Sequence, residues 1–246
     1  MHAPEFKPAE YGRATAGYSV AVLHIASRYA LFPGNPQHAG SFSFPVLYEE
    51  VEIDELDDLF SGADYIGQRL LEAAQRAIDN GARSIVGACG SFAYHQRFVT
   101  ERLPVPAYLS VLMQLPLLQS AMLGSGLGVI CASASAMNER VYEQCGVADA
   151  GGLTIAEMIG RPEFDRFIAG ERDIDFDKLS RETSEAAREL KATDPTLAGI
   201  LLQCSDLCPF APGLQSEFGV PVFDAALLIR WAHMTATYPT LPNACY

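Results

Sequence analysis

The sequence predicts an α/β protein with two pseudo-symmetric lobes, each a mostly parallel sheet flanked by helices, and an active site in the cleft between them. Three observations lead to this prediction. Short apolar runs alternate with helical segments along the 246 residues. Two stretches that end in Cys89 and Cys204 resemble each other and lie 115 positions apart. The Val-Pro pairs that follow them, Val105-Pro106 and Val220-Pro221, repeat the same spacing.

Each repeat runs from a β-branched strand to a cysteine, then through small or polar residues to a helix and a further strand. In a parallel sheet, the carboxyl ends of the strands and the starts of the following helices form the edge where ligands bind. We therefore expect Cys89 and Cys204 at helix N-termini, where the dipole favours the thiolate and lowers the thiol pKa. Pseudo-symmetry then directs both thiols towards one cleft.

The first half of the chain is predicted to run from a buried strand to the first cysteine unit and an apolar bridging helix. A helix is expected where Ile66, Leu70 and Ala77 share one face, and Gly81 ends it. The predicted segments are a strand at 18–25, a loop at 27–40 that can border a site, a strand at 42–51, an acidic solvated segment at 52–58, a helix at 62–80, a strand at 84–89, a helix at 92–102, a strand at 105–110 and a helix at 112–123.

The second half restarts this pattern after the turn Gly124-Ser125-Gly126. A charged amphipathic helix is predicted before the second cysteine unit, and Asp194-Pro195 closes it. The predicted segments are a strand at 127–132, a helix that ends near 144, mixed loop and short helix at 146–175, a helix at 176–192, the second cysteine strand with its helix, a strand at 220–224 and a helix at 225–237.

We predict three parts: an N-terminal α/β lobe at 1–123, a C-terminal α/β lobe at 124–225, and a C-terminal helix and tail at 226–246 that pack back on the N-terminal lobe. Residues 1–17 are expected to form a loose arm, and they lack the apolar core of a secretion signal. The six cysteines are therefore expected to be reduced, which predicts a cytoplasmic location.

Composition excludes several classes of partner. The net charge of −13 disfavours nucleic acid and anionic membranes, because both are bound through basic side chains. Residues 103–138 carry no charged side chain, but prolines and glycines interrupt them, so we do not predict a membrane span. A small anionic ligand remains compatible, since backbone amides and local dipoles govern the site itself.

The paired strand-end cysteines, one in each half, resemble the aspartate/glutamate/hydantoin racemase superfamily over nearly the whole chain. Amino-acid racemases of that group usually carry Cys-Asn-Thr and Gly-Cys-Thr-Glu, whereas this chain has Ala88-Cys89-Gly90-Ser91 and Gln203-Cys204-Ser205-Asp206. Its motifs are more similar to those of the algal-type dimethylsulfoniopropionate (DMSP) lyases. These motifs are His38-Ala39-Gly40-Ser41-Phe42, Gly87-Ala88-Cys89-Gly90, Gln114-Leu115-Pro116, Cys145-Gly146-Val147 and Pro221-Val222-Phe223-Asp224-Ala225.

This resemblance implies an enzyme without a cofactor that acts on a small carboxylate, and it leaves a homo-oligomer open. In such an enzyme one cysteine thiolate removes the proton α to the carboxylate. A lyase then expels a β leaving group, which from DMSP gives acrylate and dimethyl sulfide. A racemase instead uses the second cysteine to return a proton to the opposite face. We expect the lyase, and we retain an amino-acid racemase, or a related isomerase or decarboxylase, as the alternative.

The predicted catalytic residues are Cys89 and Cys204, and the residues predicted to bind substrate surround them or occupy matching turns. Gly90 allows a close approach of the backbone to a ligand, and a serine hydroxyl can hydrogen-bond a carboxylate. Asp206 can orient a proton-transfer group. The residues predicted to bind substrate are Gly90, Ser91, Ser133, Ser135, Ser205, Asp206, Tyr29 and Gln114.

Each of these residues also has a purely structural interpretation: a buried thiol, a helix-capping serine, a charge at a helix start or a core aromatic. Cys204 and Cys208 form a C-x₃-C pair, but no second pair of ligands accompanies it, so no metal site is predicted. His24 and His95 are expected to be hydrogen-bonded structural histidines. A protein that binds a small molecule without chemistry is the alternative from another class.

Overall fold

The computed structural model describes residues 17–26, 29–122 and 126–237. Within these ranges the chain forms two four-stranded parallel sheets flanked by helices, which confirms the predicted α/β class. Most of the predicted N-terminal arm, the Gly124-Ser125 turn with the 123/124 lobe boundary, and residues 238–246 lie outside the described residues. We use "first lobe" for residues 17–122 and "second lobe" for residues 126–224.

The strands of the first sheet are β1 (Val20–His24), β2 (Val46–Glu50), β3 (Ile85–Gly87) and β4 (Ala107–Tyr108), in the order β2-β1-β3-β4. The helices of this lobe are α1 (Leu56–Ser61), α2 (Asp64–Asp79), α3 (Gln96–Thr100) and α4 (Leu115–Ala121). Short 3-10 helices span Ala39–Ser41, Gly90–His95 and Val111–Gln114. Parallel neighbours require crossovers, and the helices supply them.

The second sheet repeats this order as β6-β5-β7-β8. Its strands are β5 (Gly126–Cys131), β6 (Leu153–Glu157), β7 (Leu197–Leu202) and β8 (Val222–Phe223). The helices are α5 (Glu139–Gln144), α6 (Pro162–Ile168), α7 (Phe176–Thr193), α8 (Ala211–Phe218) and α9 (Ala225–Ala236), and 3-10 helices span Ala134–Ala136 and Ser205–Phe210. β3 and β7 therefore hold equivalent places in the two sheets.

Apolar residues at helical spacing place the long helices on the sheets. Ile66 and Leu70 of α2 are fully buried against Leu23 and Ile85 of the first sheet. In the second lobe, α7 buries Leu179, Ala186, Ala187 and Leu190 against the second sheet. Burying one large aliphatic side chain contributes roughly 1.5–3 kcal/mol, so these faces are what hold each helix to its sheet.

Two elements differ from the sequence-based prediction. The segment 146–175 contains the strand β6, which was expected to be loop and short helix; β6 is a sheet edge that pairs only with β5 and exposes Ile155, so it lacks the buried apolar run of an inner strand. The segment expected to be acidic and solvated continues into α1, because Leu59 is buried there. Gly62 ends α1 in a left-handed conformation that lets it lie on the ring of Tyr94.

The helix α9 follows the second sheet in the chain but packs on the first. Leu228, Ile229 and Ala232 form a buried cluster with strand residues that include Val20 and Val86. The other face of α9 leaves Trp231 and Met234 about half exposed or more, at 49% and 63%. None of the helices in the described ranges is both long and apolar enough to cross a membrane.

Candidate active site

The two cysteines from the repeated motif lie at matching places in the two lobes. Cys89 follows β3 and precedes the 3-10 helix Gly90–His95. Cys204 follows β7 and precedes the 3-10 helix Ser205–Phe210. Each cysteine has extended backbone angles and occupies the N-cap position, so a helical turn begins directly after it. The predicted strands ended at the cysteines themselves, whereas β3 ends at Gly87 and β7 at Leu202, two residues earlier.

Both cysteines line one cavity, which we call the central cavity. Its volume is about 100 Å³, which is smaller than the range of about 300–1,000 Å³ typical of sites for drug-sized ligands and restricts it to a small molecule. First-lobe lining residues are Ile25, Tyr29, Gln37, Leu56, Leu59, Phe60, Ala88, Cys89, Gly90 and Ser91. Second-lobe lining residues are Ala132, Ala136, Ile159, Phe164, Ile168, Gln203, Cys204, Ser205 and Asp206.

Asp206 is the only charged side chain among these described lining residues, and it is buried. Its carboxylate accepts hydrogen bonds of 2.8 Å each from the hydroxyl of Tyr29 and from Nδ2 of Asn35. The Sγ atom of Cys204 lies 3.8 Å from Oδ2 of Asp206 and donates to it. The carboxylate of the second lobe is thus held by the loop that follows β1 in the first lobe, and it orients one of the two thiols.

The pKa values of both thiols are raised, contrary to the lowering expected from the helix starts. Burial raises the pKa of Cys89 to about 11; the Asp206 carboxylate acts in the same direction, and hydrogen bonds from Ser91 and Phe92 oppose it. Burial, and then the Asp206 carboxylate, raise the pKa of Cys204 well above its ordinary value. No lining residue of the described chain carries a positive charge, so desolvation of the thiolate outweighs the backbone amides.

The serines and Gln114 occupy different environments. Ser91 lines the central cavity beside Cys89, and the Ser205 hydroxyl lines it while donating to the carbonyl oxygen of Ala88 at 2.6 Å. Ser133 and Ser135 hydrogen-bond each other at 2.9 Å on the partly exposed turn after β5, between the lining residues Ala132 and Ala136. Gln114 lies outside the lining set, where its amide donates to the carbonyl of Asp224 at 3.3 Å.

Three polar residues of the site were not predicted from the sequence. Asn35 is 2% exposed and holds Asp206, Gln37 lines the cavity and donates to the carbonyl of Ile25, and Gln203 lines the cavity directly before Cys204. The position of 27–40 after a parallel strand indicated a site-bordering loop, but no local pattern distinguished Asn35 within it. Gln203 was visible as a departure from the Gly-Cys-Thr-Glu motif.

The other titratable residues that were considered from the sequence lie outside the cavity lining. His95 is buried, and its pKa is lowered to about 4 by burial and then by Arg140. Its Nε2 atom has no hydrogen-bond partner, so the expectation of a hydrogen-bonded histidine is wrong there. The five cysteines of the described chain are free, with Cys131, Cys145 and Cys208 buried in clusters. Searched over those same residues, the structure holds no group of three or more side chains arranged for a metal ion.

A comparison with known protein families shows which proteins this chain is related to. The model of the Asp/Glu/hydantoin racemase family matches residues 57–232, which is more than half of the chain and includes both strand-end cysteines. The chain belongs to this family. The match confirms the superfamily resemblance that the paired cysteines indicated.

The sequence relatives in the family include DMSP lyases. Dimethylsulfoniopropionate lyase 6 of Emiliania huxleyi (strain CCMP1516) is 27% identical over 217 residues, which cover 84% of this chain and 57% of the relative. The dimethylsulfoniopropionate lyase of Durusdinium sp. clade D is 26% identical over 216 residues, covering 84% and 71%. This chain therefore spans a little over half to about seven-tenths of the length of these relatives.

Solved structures share this fold at low sequence identity. An arylmalonate decarboxylase superposes with a TM-score of 0.59 at 15% identity, covering 90% of this chain and 94% of that one. A glutamate racemase from Bacillus anthracis superposes with a TM-score of 0.58 at 14% identity, covering 89% and 81%. At these identities the similarity establishes the fold of the family and leaves the reaction to the residues of the site.

Proposed function

We propose that this protein is a cofactor-independent lyase that removes the proton α to the carboxylate of a small zwitterion, with DMSP as the substrate. The observation that carries the proposal is the composition of the central cavity. Two thiols and one buried carboxylate line it, and the described lining residues include no basic side chain. The similarity to DMSP lyases supports the choice of substrate.

The cavity suits a substrate with a positive end. A sulfonium group is attracted by a carboxylate and by aromatic faces, and Asp206, Tyr29 and Phe60 supply both. A sulfonium bound there also favours the thiolate form of a neighbouring cysteine, because an opposite charge nearby lowers a thiol pKa. The substrate thus compensates for the desolvation that keeps the thiols protonated.

In the proposed reaction Cys204 is the base, since its sulfur is the one that Asp206 orients. The Cys204 thiolate takes the proton from Cα. The electron pair of that C–H bond forms the Cα–Cβ double bond, and the Cβ–S bond breaks with its electrons leaving on dimethyl sulfide. Acrylate remains, and the proton on Cys204 passes to solvent to restore the thiolate.

The second candidate is a racemase, and the observation that favours it is the presence of both thiols in one cavity. Cys89 would then return a proton to the face opposite Cys204. Elimination does not need this return, so the two reactions place different demands on Cys89.

The test measures dimethyl sulfide in the headspace above purified protein with DMSP, for wild type, Cys204→Ala and Cys89→Ala. We expect wild type to release the gas and Cys204→Ala to lose at least about 10²-fold in rate, the usual scale for a removed general base. Cys145→Ala is the matched control, because this buried thiol lies outside the cavity lining, and it should retain the wild-type rate.

Two results would contradict the lyase. No dimethyl sulfide from wild type, together with exchange of an amino-acid Cα proton in D₂O that requires both Cys89 and Cys204, identifies a racemase. Slow alkylation of both cysteines by iodoacetamide, unaffected by carboxylates that nevertheless bind, indicates a binding protein without thiol chemistry.

A further inference from the structure

Gln203 is one of the polar side chains of the central cavity that the proposed reaction does not yet use. It lies between β7 and Cys204, lines the cavity, and is 4% exposed. Its backbone N–H donates to the carbonyl of Ile130 at 2.8 Å. Its side-chain amide is not among the fully enclosed polar atoms without partners in the described residues, which are the Tyr48 hydroxyl and His95 Nε2. The amide therefore faces the cavity that Gln203 lines, where a ligand or a water can bind it.

The amide of Gln203 reaches across to the other lobe. Its Cδ and Nε2 are the atoms nearest to where a Cβ on Gly90 would stand, and the Gln203 carbonyl oxygen would lie 2.7 Å from that Cβ. Gly90 directly follows Cys89, so the amide lies between the turn that carries the first thiol and its own turn, which carries the second. Since Cys89, Gln203 and Cys204 line the same cavity, the amide is placed to contact a ligand bound beside the two thiols.

The chemistry of the cavity indicates that this amide binds the substrate carboxylate. A substrate carboxylate requires hydrogen-bond donors, and no arginine, lysine or histidine lines the described cavity to supply them. The Nε2 amide group of a glutamine offers two donors, and a bond from it to a charged oxygen is stronger than a neutral one. The amide carries no charge of its own, so it binds a carboxylate without repelling the positive end of a zwitterion.

We propose that the Gln203 side-chain amide binds the substrate carboxylate between Cys89 and Cys204 and thereby selects carboxylates over uncharged analogues. This inference rests on the proposed function for the class of substrate, but not on turnover. It also explains why position 90 carries glycine: any larger residue would occupy the space of the Gln203 amide.

The test compares the binding of two unreactive probes by isothermal titration calorimetry. One probe is the trimethylammonium analogue of DMSP, 3-(trimethylammonio)propanoate, and the other is the corresponding propanamide. We expect wild type to prefer the carboxylate, and Gln203→Met to bind the carboxylate about tenfold more weakly while it binds the amide within about twofold of wild type. Gln75→Met, at an exposed position of α2, is the matched control and should change neither affinity.

Equal affinity of Gln203→Met and wild type for the carboxylate would overturn the proposal, and so would an equal loss for both probes, which indicates a packing role. If Gln203→Met does not fold, Gln203→Glu gives the same decision, because a carboxylate in that place should repel the carboxylate probe and spare the amide. Failure of the proposed reaction is distinguished from failure of this proposal. If wild type releases no dimethyl sulfide, but Gln203→Met still loses the preference for the carboxylate probe that wild type shows, the role of Gln203 stands without the reaction.

Discussion

At the scale of single residues, the Asp206 carboxylate is the group that influences both thiols. It accepts a hydrogen bond from Cys204, and its negative charge raises the pKa of Cys204 and of Cys89. Tyr29 and Asn35 hold it in a buried position. Burial also raises the pKa of Asp206 itself, although these hydrogen bonds oppose the change. Asp206 therefore orients one thiol while it opposes the ionisation of both.

This arrangement predicts the pH dependence of the proposed lyase reaction. A base with a raised pKa is active only in its deprotonated form, so kcat/KM for DMSP should rise with pH, by up to about tenfold per unit between pH 7 and 9. In Asp206→Asn the negative charge is gone, the thiol pKa values fall, and the rising limb should move to lower pH. The maximal rate should fall as well, because the neutral amide of asparagine is a weaker acceptor for the Cys204 thiol than the carboxylate.

The measurement is the initial rate of dimethyl sulfide release across pH 6–10, with Cys204→Ala as the blank for spontaneous breakdown. A limb that stays in place in Asp206→Asn, or moves to higher pH, would mean that Asp206 does not raise the thiol pKa during the reaction.

At the scale of elements, the strands β3 and β7 position the two thiols, and close packing fixes the position of β3. A Cβ on Gly87, the last residue of β3, would overlap the backbone carbonyl of Leu109, whose carbon would lie 2.7 Å away. Backbone cannot move aside as a side chain can. Gly87 is therefore required for the segment after β4 to pass the strand end.

We predict that Gly87→Ala lowers the free energy of unfolding by at least about 2 kcal/mol, as overpacking against fixed atoms does. Gly213→Ala is the matched control: Gly213 is exposed inside α8 with nothing within 4 Å of a new Cβ. Alanine favours a helix over glycine, so this change should raise the free energy of unfolding by about 0.5–1 kcal/mol. Urea denaturation measures both, and a Gly87→Ala protein as stable as wild type would refute the packing argument.

The more deeply buried elements were the ones that the sequence patterns located correctly. The inner strands β1, β5 and β7 carry apolar runs, and the amphipathic helices α2 and α7 carry a clear apolar face, so sequence patterns located all five. The edge strand β6 exposes two of its five residues and the short helix α1 three of its six, and each buries only one, so their patterns resembled solvated loop. The position of each cysteine at a strand end followed from the repeat, but the pKa direction did not, because burial is set by both lobes together.

At the scale of the whole molecule, the two lobes are joined by polar contacts at the site itself. The Ser205 hydroxyl donates to the carbonyl of Ala88, and the Asp206 carboxylate accepts from Tyr29 and Asn35. Outside the cavity lining, Arg140 also donates to the carbonyl of Gly62 at 3.2 Å. The repeat in the sequence predicted similar lobes, but it contained no information on contacts between them. This is why Asn35 was not found from the sequence.

Ser205→Ala removes one of these contacts between lobes. Loss of a buried hydrogen bond that leaves a carbonyl without its donor should lower the free energy of unfolding by about 1–3 kcal/mol. The control is Ser120→Ala, whose exposed hydroxyl donates within its own helix to Pro116, and whose loss should change stability by less than about 0.5 kcal/mol. Denaturant titrations of the two variants decide the matter, and equal stabilities would mean that the Ser205 contact contributes nothing to joining the lobes.

The packing of α9 on the first sheet has a consequence for synthesis on the ribosome. Val20 and Val86 emerge early, yet the helix that covers them with Leu228 and Ile229 is made more than a hundred residues later. Until then that apolar face of the nascent sheet stays exposed to solvent, and chaperones bind such surfaces, which also promote aggregation. The first lobe therefore has to wait for the translation of α9 to complete its folding.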